Sequence, residues 1–174
     1  ERPWHSLMWF TDCHLASNNP ISRRDNYPEA ILSKLDQIVQ ASIKLKVDRL
    51  ICGGDIWHHK APSKIQHWTI SRLIDIWKQH VPLGIIGNHD MSWNSLDYLD
   101  RQPMGVVIRA GAYETIDHPD TKKIGPFRIK GINYRSEIPE EWFKIDELQP
   151  NEVGVLLLHV NSTRDGSFLG DDVC

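Results

Sequence analysis

The chain has 174 residues, of which 40% are hydrophobic and 25% charged, the proportions of an ordinary globular domain with enough apolar material for a buried core. A formal net charge of -3 excludes a globally basic surface, and the longest apolar stretch, around residues 155–158, is too short to span a bilayer. Three cysteines, Cys13, Cys52 and Cys174, form an odd set without C-x-x-C spacing, which excludes a disulfide framework and a zinc ribbon. With no charged-then-apolar leader either, the expectation is a single cytoplasmic domain over residues 1–174.

A continuous apolar run over residues 7–11 predicts a first strand, buried on both faces of a sheet and ending at Asp12. After a polar loop, Pro28 opens a helix whose apolar positions Ile31, Leu35, Ile38, Val39 and Leu45 recur at helical spacing. Residues 49–52 predict a second strand that ends at Gly53-Gly54-Asp55. Ser63 and Gln66 have capping-box spacing, and Ile65, Trp68, Leu73, Ile74 and Trp77 mark a second amphipathic helix closed off by Pro82. A third strand over residues 83–86 ends at Gly87-Asn88-His89-Asp90. This alternation implies right-handed crossovers and parallel neighbours, with ligands bound beyond the carboxyl ends of the strands.

The second half is less regular. Short helices are predicted over residues 95–100 and 140–145, and an antiparallel strand pair over residues 112–116 and 127–132. A strongly buried strand over residues 153–158 then delivers His159 to its end.

All the polar motifs therefore fall where strands end. In Asp12-Cys13-His14, side chains two apart can project toward one ion, while Cys13 packs behind. The glycines before Asp55 let its carboxylate approach an ion closely. Asn88 can coordinate through its amide oxygen, His89 is free to face a substrate, and Asp90 can orient the His89 ring by accepting an imidazole N–H. His159 is the fourth polar residue at a strand end. Asp, Asn and His donors suit divalent first-row metals, and two such ions bridged by one carboxylate can activate water and neutralise a phosphoryl group. For each motif alone the alternative is a polar turn; their shared position argues against it.

His58 and His59 follow Asp55 closely, with His58 favoured for contact with phosphate or sugar, and Arg23, Arg24, Lys60 and Lys64 fall in or beside the loops after the first two motifs. Arg24 is taken as the candidate cation for substrate. Trp57 and Trp93 have the chemistry to stack on a base, although with seven tryptophans core packing is the expectation for each.

These motifs resemble those of the calcineurin-like metallophosphoesterase superfamily, and within it the SbcD-type DNA-repair exonucleases and their phage relatives. The resemblance rests on Asp12-Cys13-His14, Gly-Gly-Asp55-Ile-Trp-His58 followed by Ala61-Pro62-Ser63, Gly-Asn88-His89-Asp90, Leu-Leu-Leu-His159, and the stretch from Ser95 through Pro103. It implies an α/β fold of four layers, α-β-β-α, with two manganese ions. By analogy, Asp12 and His14 bind the first ion, Asp55 bridges both, Asn88 and His159 bind the second, and His89 is the catalytic histidine with Asp90 behind it. His58 matches a nucleotide-contacting histidine of the nuclease branch.

The resemblance also implies DNA as substrate, an SbcC-type ATPase as partner and a homodimer, with no membrane association. Nothing in residues 160–174 matches the family's further Gly-His-x-His element, so a domain truncated before that motif is expected. Two rival functions stand beside a DNA exonuclease or endonuclease. One is a phosphoesterase for a cyclic nucleotide or phosphoprotein; the other is a non-catalytic scaffold with an incomplete metal site.

Overall fold

Parallel pairing organises the first half of the chain. In the computed structural model, which describes residues 4–145 and 147–160, strands β1 (Leu7–Phe10), β2 (Arg49–Cys52), β3 (Leu83–Gly84) and β4 (Glu114–Thr115) form one parallel sheet in that order. Helix α1 (Tyr27–Lys44) connects β1 to β2, α2 (His67–Trp77) connects β2 to β3, and α3 (Pro103–Arg109) lies between β3 and β4. A second sheet holds β6 (Phe127–Ile132) between antiparallel β5 (Thr121–Ile124) and parallel β7 (Val153–Leu158).

The alternation of side chains along the central strands splits the core in two. Leu50 and Cys52 face the helices, where they meet Leu32, Leu35, Val39, Leu73, Trp77 and Val107. Ile51 faces the other way, toward Leu83, Ile85, Ile116, Ile129 and Leu157 between the two sheets. Each such aliphatic side chain contributes roughly 1.5–3 kcal/mol on burial. The outer face of the second sheet is covered by a 3-10 helix (Glu140–Phe143) and the chain after it: Lys130 Nζ donates to the Lys144 carbonyl at 2.7 Å, and Ile145 and Leu148 lie against Gly154. Two sheets face to face with helical cover outside are the expected four-layer α/β arrangement.

Several local expectations are corrected. Among the described residues β1 is an edge strand, and Trp9 is 51% exposed instead of buried. In α1 the expected Leu35 and Val39 are buried together with Leu32 and Ser42, Ile31 and Ile38 pack at the margin of the same core, and Leu45 lies beyond the last turn, exposed. Ser63 does not cap α2. It sits in a 3-10 turn (Pro62–Lys64), and Ile65 is extended, so the helix starts at His67 and the backbone N–H of Gln66 is met by Ser17 Oγ at 2.8 Å.

Residues 114–115 join the first sheet beside β3, because the short helix α3 provides the crossover that an antiparallel pairing would lack. Glu114 ties this edge to both sheets through ion pairs with Arg49 and Lys122. β7 is also less buried than expected, with Leu157 fully enclosed and Val153 51% exposed. Among the described residues no helix is long and apolar enough to cross a membrane.

At the start of the second sheet, Glu152 accepts from Lys123 Nζ at 2.6 Å, from the Gln149 N–H at 3.1 Å and from Arg128 Nη2 at 2.9 Å, joining β5, β6 and the entry to β7. These partners, Lys123 foremost, hold its carboxyl down at about 2 against an ordinary 4.5. A depressed carboxyl contributes stability that is present above the ordinary value and lost as pH falls through the folded one. We therefore expect Glu152→Gln to lower the thermal midpoint at pH 7 and to lose less than the native chain between pH 5 and pH 2, as followed by circular dichroism. Parallel pH profiles for the two proteins would contradict it.

Candidate metal centre

The pairing of β1 with β2 does not stop where the strands end. Beyond them the Asp12 N–H donates to the Gly54 carbonyl at 3.1 Å, the His14 N–H to the Asp55 carbonyl at 3.1 Å and the Leu15 N–H to the Ile56 carbonyl at 2.7 Å, closing on a parallel bridge between Leu15 and Trp57. Asp12, His14 and Asp55 are thus fixed in register by backbone. All three are non-glycine residues in the left-handed region, with φ of 51°, 44° and 52°. Such conformations cost of order 1–3 kcal/mol each and persist only where the surroundings over-determine them.

The third loop is drawn onto the second by one carboxylate. Asp90, fully buried, accepts from the Ile56 N–H at 2.8 Å and the Trp57 N–H at 3.0 Å through Oδ1, and from the Gly87 N–H at 3.0 Å through Oδ2. Burial pushes its carboxyl up to about 7, although the three amides favour the charged form. The close approach requires glycine at position 87, where a Cβ would collide with the backbone N and carboxylate of Asp55. The ends of β3 and β6 are joined in turn: the Ile86 N–H donates to Asn133 Oδ1 and the Tyr134 N–H to the Ile86 carbonyl, both at 2.8 Å.

Around Asp55 the polar side chains converge. Its Oδ2 lies 3.2 Å from His159 Nε2 and 3.8 Å from His14 Nε2, and its Oδ1 accepts the His89 backbone N–H at 3.0 Å. His14 Nε2 is 3.9 Å from Asp12 Oδ1, and Asp12 is steadied by Thr11 Oγ1 at 2.6 Å. Acid and imidazole donors fall into two groups that share Asp55: His14, Asp55 and His89, and Asp12, Asp55 and His159, each with ligand atoms within 4.8 Å of one another. Asp12 and His14, which the resemblance assigns to one ion, are also close to each other, with 3.9 Å between Asp12 Oδ1 and His14 Nε2.

The Asn88 amide lies 3.3 Å from both Asp55 oxygens and 3.2 Å from His159 Nε2. With its nitrogen on that side it donates to them. With its oxygen there it faces the Asp55 carboxylate, acceptor against acceptor, an arrangement that a bound cation would make favourable. Hard oxygens and imidazoles, without a thiolate among them, fit a first-row divalent ion.

The electrostatics accord with the donor set. Burial pushes Asp55 up, but the hydrogen bond and charge of His159 and the contacts of His89 outweigh it, so the carboxyl sits below its ordinary range. Burial lowers His159, but its bond to Asp55 and the Gly53 carbonyl, 3.0 Å from its Nδ1, raise it to about 9. His14 is lowered, mainly by burial, and its Nδ1 is buried without a partner among the described residues.

The structure thus brings together Asp12, His14, Asp55, Asn88, His89 and His159. His58 joins them, its ring edge-on to His14 with centroids 5.8 Å apart, and His59 packs on His58 at 4.6 Å. Asp90 does not touch the His89 ring. On the 3-10 turn Asn88–Asp90 successive side chains diverge, and Asp90 is occupied by three amides; the ring instead sets Nδ1 2.8 Å from the His58 carbonyl. Arg24 stands exposed on the loop after β1, with no hydrogen bond or ion pair among the described residues, while Arg23 pairs with Asp25 and lies over Tyr27, whose hydroxyl donates to the His14 carbonyl. Cys13 packs against the helix-side core, and burial raises its thiol to about 12.

Sequence reasoning missed two features: the left-handed backbone at Asp12, His14 and Asp55, which residue type favours only weakly since Asp and His are enriched there without being confined to it, and the exposure of Trp93. Trp57 is core, 1% exposed, but Trp93 is 81% exposed, contrary to the expectation of packing. The expected absence of a Gly-His-x-His element concerns residues 161–174, outside the described residues.

A comparison with curated proteins finds no significant match. The family model described as calcineurin-like phosphoesterase matches residues 5–174, nearly the whole chain. Two donor groups meeting on one buried aspartate at the carboxyl ends of a parallel sheet agree with that match, and the chain belongs to the calcineurin-like phosphoesterase family, whose chemistry is metal-dependent phosphoester hydrolysis.

Proposed function

We propose that this chain is a manganese-dependent phosphodiesterase of the SbcD type that cleaves DNA. The observation that carries the hydrolytic part is the sharing of Asp55 between two donor groups. Asp12, His14, Asp55, Asn88 and His159 are the residues that would hold two ions there. When bound, such ions supply Lewis-acid activation of water and neutralise charge on phosphoryl oxygens. DNA as substrate is supported by the nuclease-branch pattern running from Gly53 through Ser63 and from Ser95 through Pro103.

The protein's own groups divide the remaining work. A carbonyl can only accept, so the His58 carbonyl fixes the proton of His89 on Nδ1 and leaves Nε2 as the exchanging position. In its protonated form His89 donates from Nε2 to the departing sugar oxygen, a contribution typically worth ~100- to 10,000-fold. His58, beside it, is placed to contact a phosphate or sugar. Asp90 is a positioning residue that acts through the loop backbones.

The test is degradation of linear DNA with manganese, without metal, and in excess chelator. Turnover should require the metal and exceed that of small phosphodiesters; faster turnover of small diesters would replace the nuclease reading with the small-substrate one. By calorimetry Asp55→Ala should lose stoichiometric manganese binding, whereas His89→Ala should retain it and lose ~100-fold or more in kcat. A chain that binds no manganese and cleaves no phosphodiester would instead be a scaffold.

Asp90→Ala leaves three buried amides without an acceptor, each worth ~1–3 kcal/mol. Urea unfolding should show a loss of about 3 kcal/mol or more, and a loss under 1 kcal/mol would contradict the positioning role.

A further inference from the structure

Near the histidine cluster the chain spends both conformational and hydrophobic free energy on presenting one aromatic ring. Trp93 is 81% exposed and adopts φ 52°, ψ 24°, followed by Asn94 at φ 50°. A bulky residue in the left-handed region is a genuine outlier, and no glycine relieves it. The segment is pinned on both sides: Ser92 Oγ donates to the Lys60 carbonyl at 2.9 Å and to Gln102 Oε1 at 3.2 Å, and Lys60 Nζ donates to Asn94 Oδ1 at 2.9 Å. Tyr98 meets the Trp93 ring edge-on, with centroids 5.5 Å apart at 72°. This contact supports the indole while leaving most of it open to solvent.

The same laces connect the ring to the candidate centre. Lys60 follows His58 and His59 directly, and the His58 carbonyl holds the His89 ring at Nδ1. Trp93 lies four positions along the chain from His89, a distance of at most ~14 Å. That is within reach of a short single strand whose phosphate lies at His89.

We propose that Trp93, backed by Tyr98, is the stacking platform for an unpaired base of the substrate and selects single-stranded nucleic acid over phosphodiesters lacking a base. An exposed indole offers a face to any base, so the selection is for a base as such, without sequence preference. Its rigid mounting reduces what is lost on binding. The inference rests on the phosphodiesterase reading for its substrate but not for its test.

The test measures binding separately from cleavage. Fluorescence anisotropy with the manganese-loaded full chain would compare a labelled phosphorothioate oligothymidylate, which resists cleavage, with an abasic oligomer of equal length. The native chain should bind the base-bearing strand ~5- to 100-fold more tightly. Trp93→Ala should bring the two affinities together, and Trp93→Phe should restore most of the difference. Equal affinities in the native chain, no binding of either strand, or unchanged discrimination in Trp93→Ala would overturn the proposal. Manganese-dependent cleavage of ordinary oligonucleotide is scored independently, so loss of stacking and loss of hydrolysis are separate failures.

Discussion

Three backbone amides, those of Ile56, Trp57 and Gly87, point inward where the second and third strands end, and the carboxylate of Asp90 satisfies them all. Each amide left alone in that dry environment would cost ~1–3 kcal/mol, so the two loops are held together by the cost of separating them. The arrangement is expensive at its centre, because burial works against the charged carboxylate and raises it to about 7. What it provides is position. With Gly87 pressed on Asp55 and the His89 N–H donating to Asp55 Oδ1, the Asp55 carboxylate cannot turn away from the histidines around it.

The left-handed residues belong to the same logic. A strand that simply continued past Phe10 would put Asp12 and His14 on one face and Cys13 on the other, but would carry His14 roughly 7 Å further along the chain from Asp12. Reversals of φ at Asp12 and His14, flanking Cys13, let both polar side chains stay near Asp55 while the thiol packs into the core. The hydrogen bonds from Asp12, His14 and Leu15 to the chain beyond β2 hold these reversals in place. Strain, close approach and a buried charge therefore fall on the few residues that converge at the candidate centre.

Much of this was legible beforehand, and the reasons are specific. Asp12, Asp55, Asn88 and His159 each follow an apolar run, and parallel strands place such residues on one edge regardless of loop detail. Roles that depend on side-chain direction were not legible. Asp90 follows His89 and looks like its partner in a linear reading, but a 3-10 turn sends the two apart and gives the ring to the His58 carbonyl. Residues 112–116 were misplaced because α3 is only seven residues long and opens with Pro103, too short for a clear periodicity. Trp93 could not be told from Trp57 by type or spacing; only the surroundings distinguish an indole in the core from one on the rim.

The centre also depends on the two sheets meeting. Asp12, Asp55 and His89 come from the first sheet's loops, but His159 is carried by β7 in the second, and its ring spans from Gly53 to Asp55. Its place is set by Leu157, packed with Ile51, Leu83, Ile85, Ile116 and Ile129 between the sheets, and by the tie from Asn133 and Tyr134 to Ile86. Those aliphatic contacts lack directionality, whereas the hydrogen bonds beside them specify register, so the apolar layer supplies the adhesion and the polar ties supply the alignment. A lesion in that layer would reach the candidate centre without touching any of its side chains, since a small slip of β7 would move His159 away from Asp55 while Asp12, His14 and His89 stayed on the first sheet's loops.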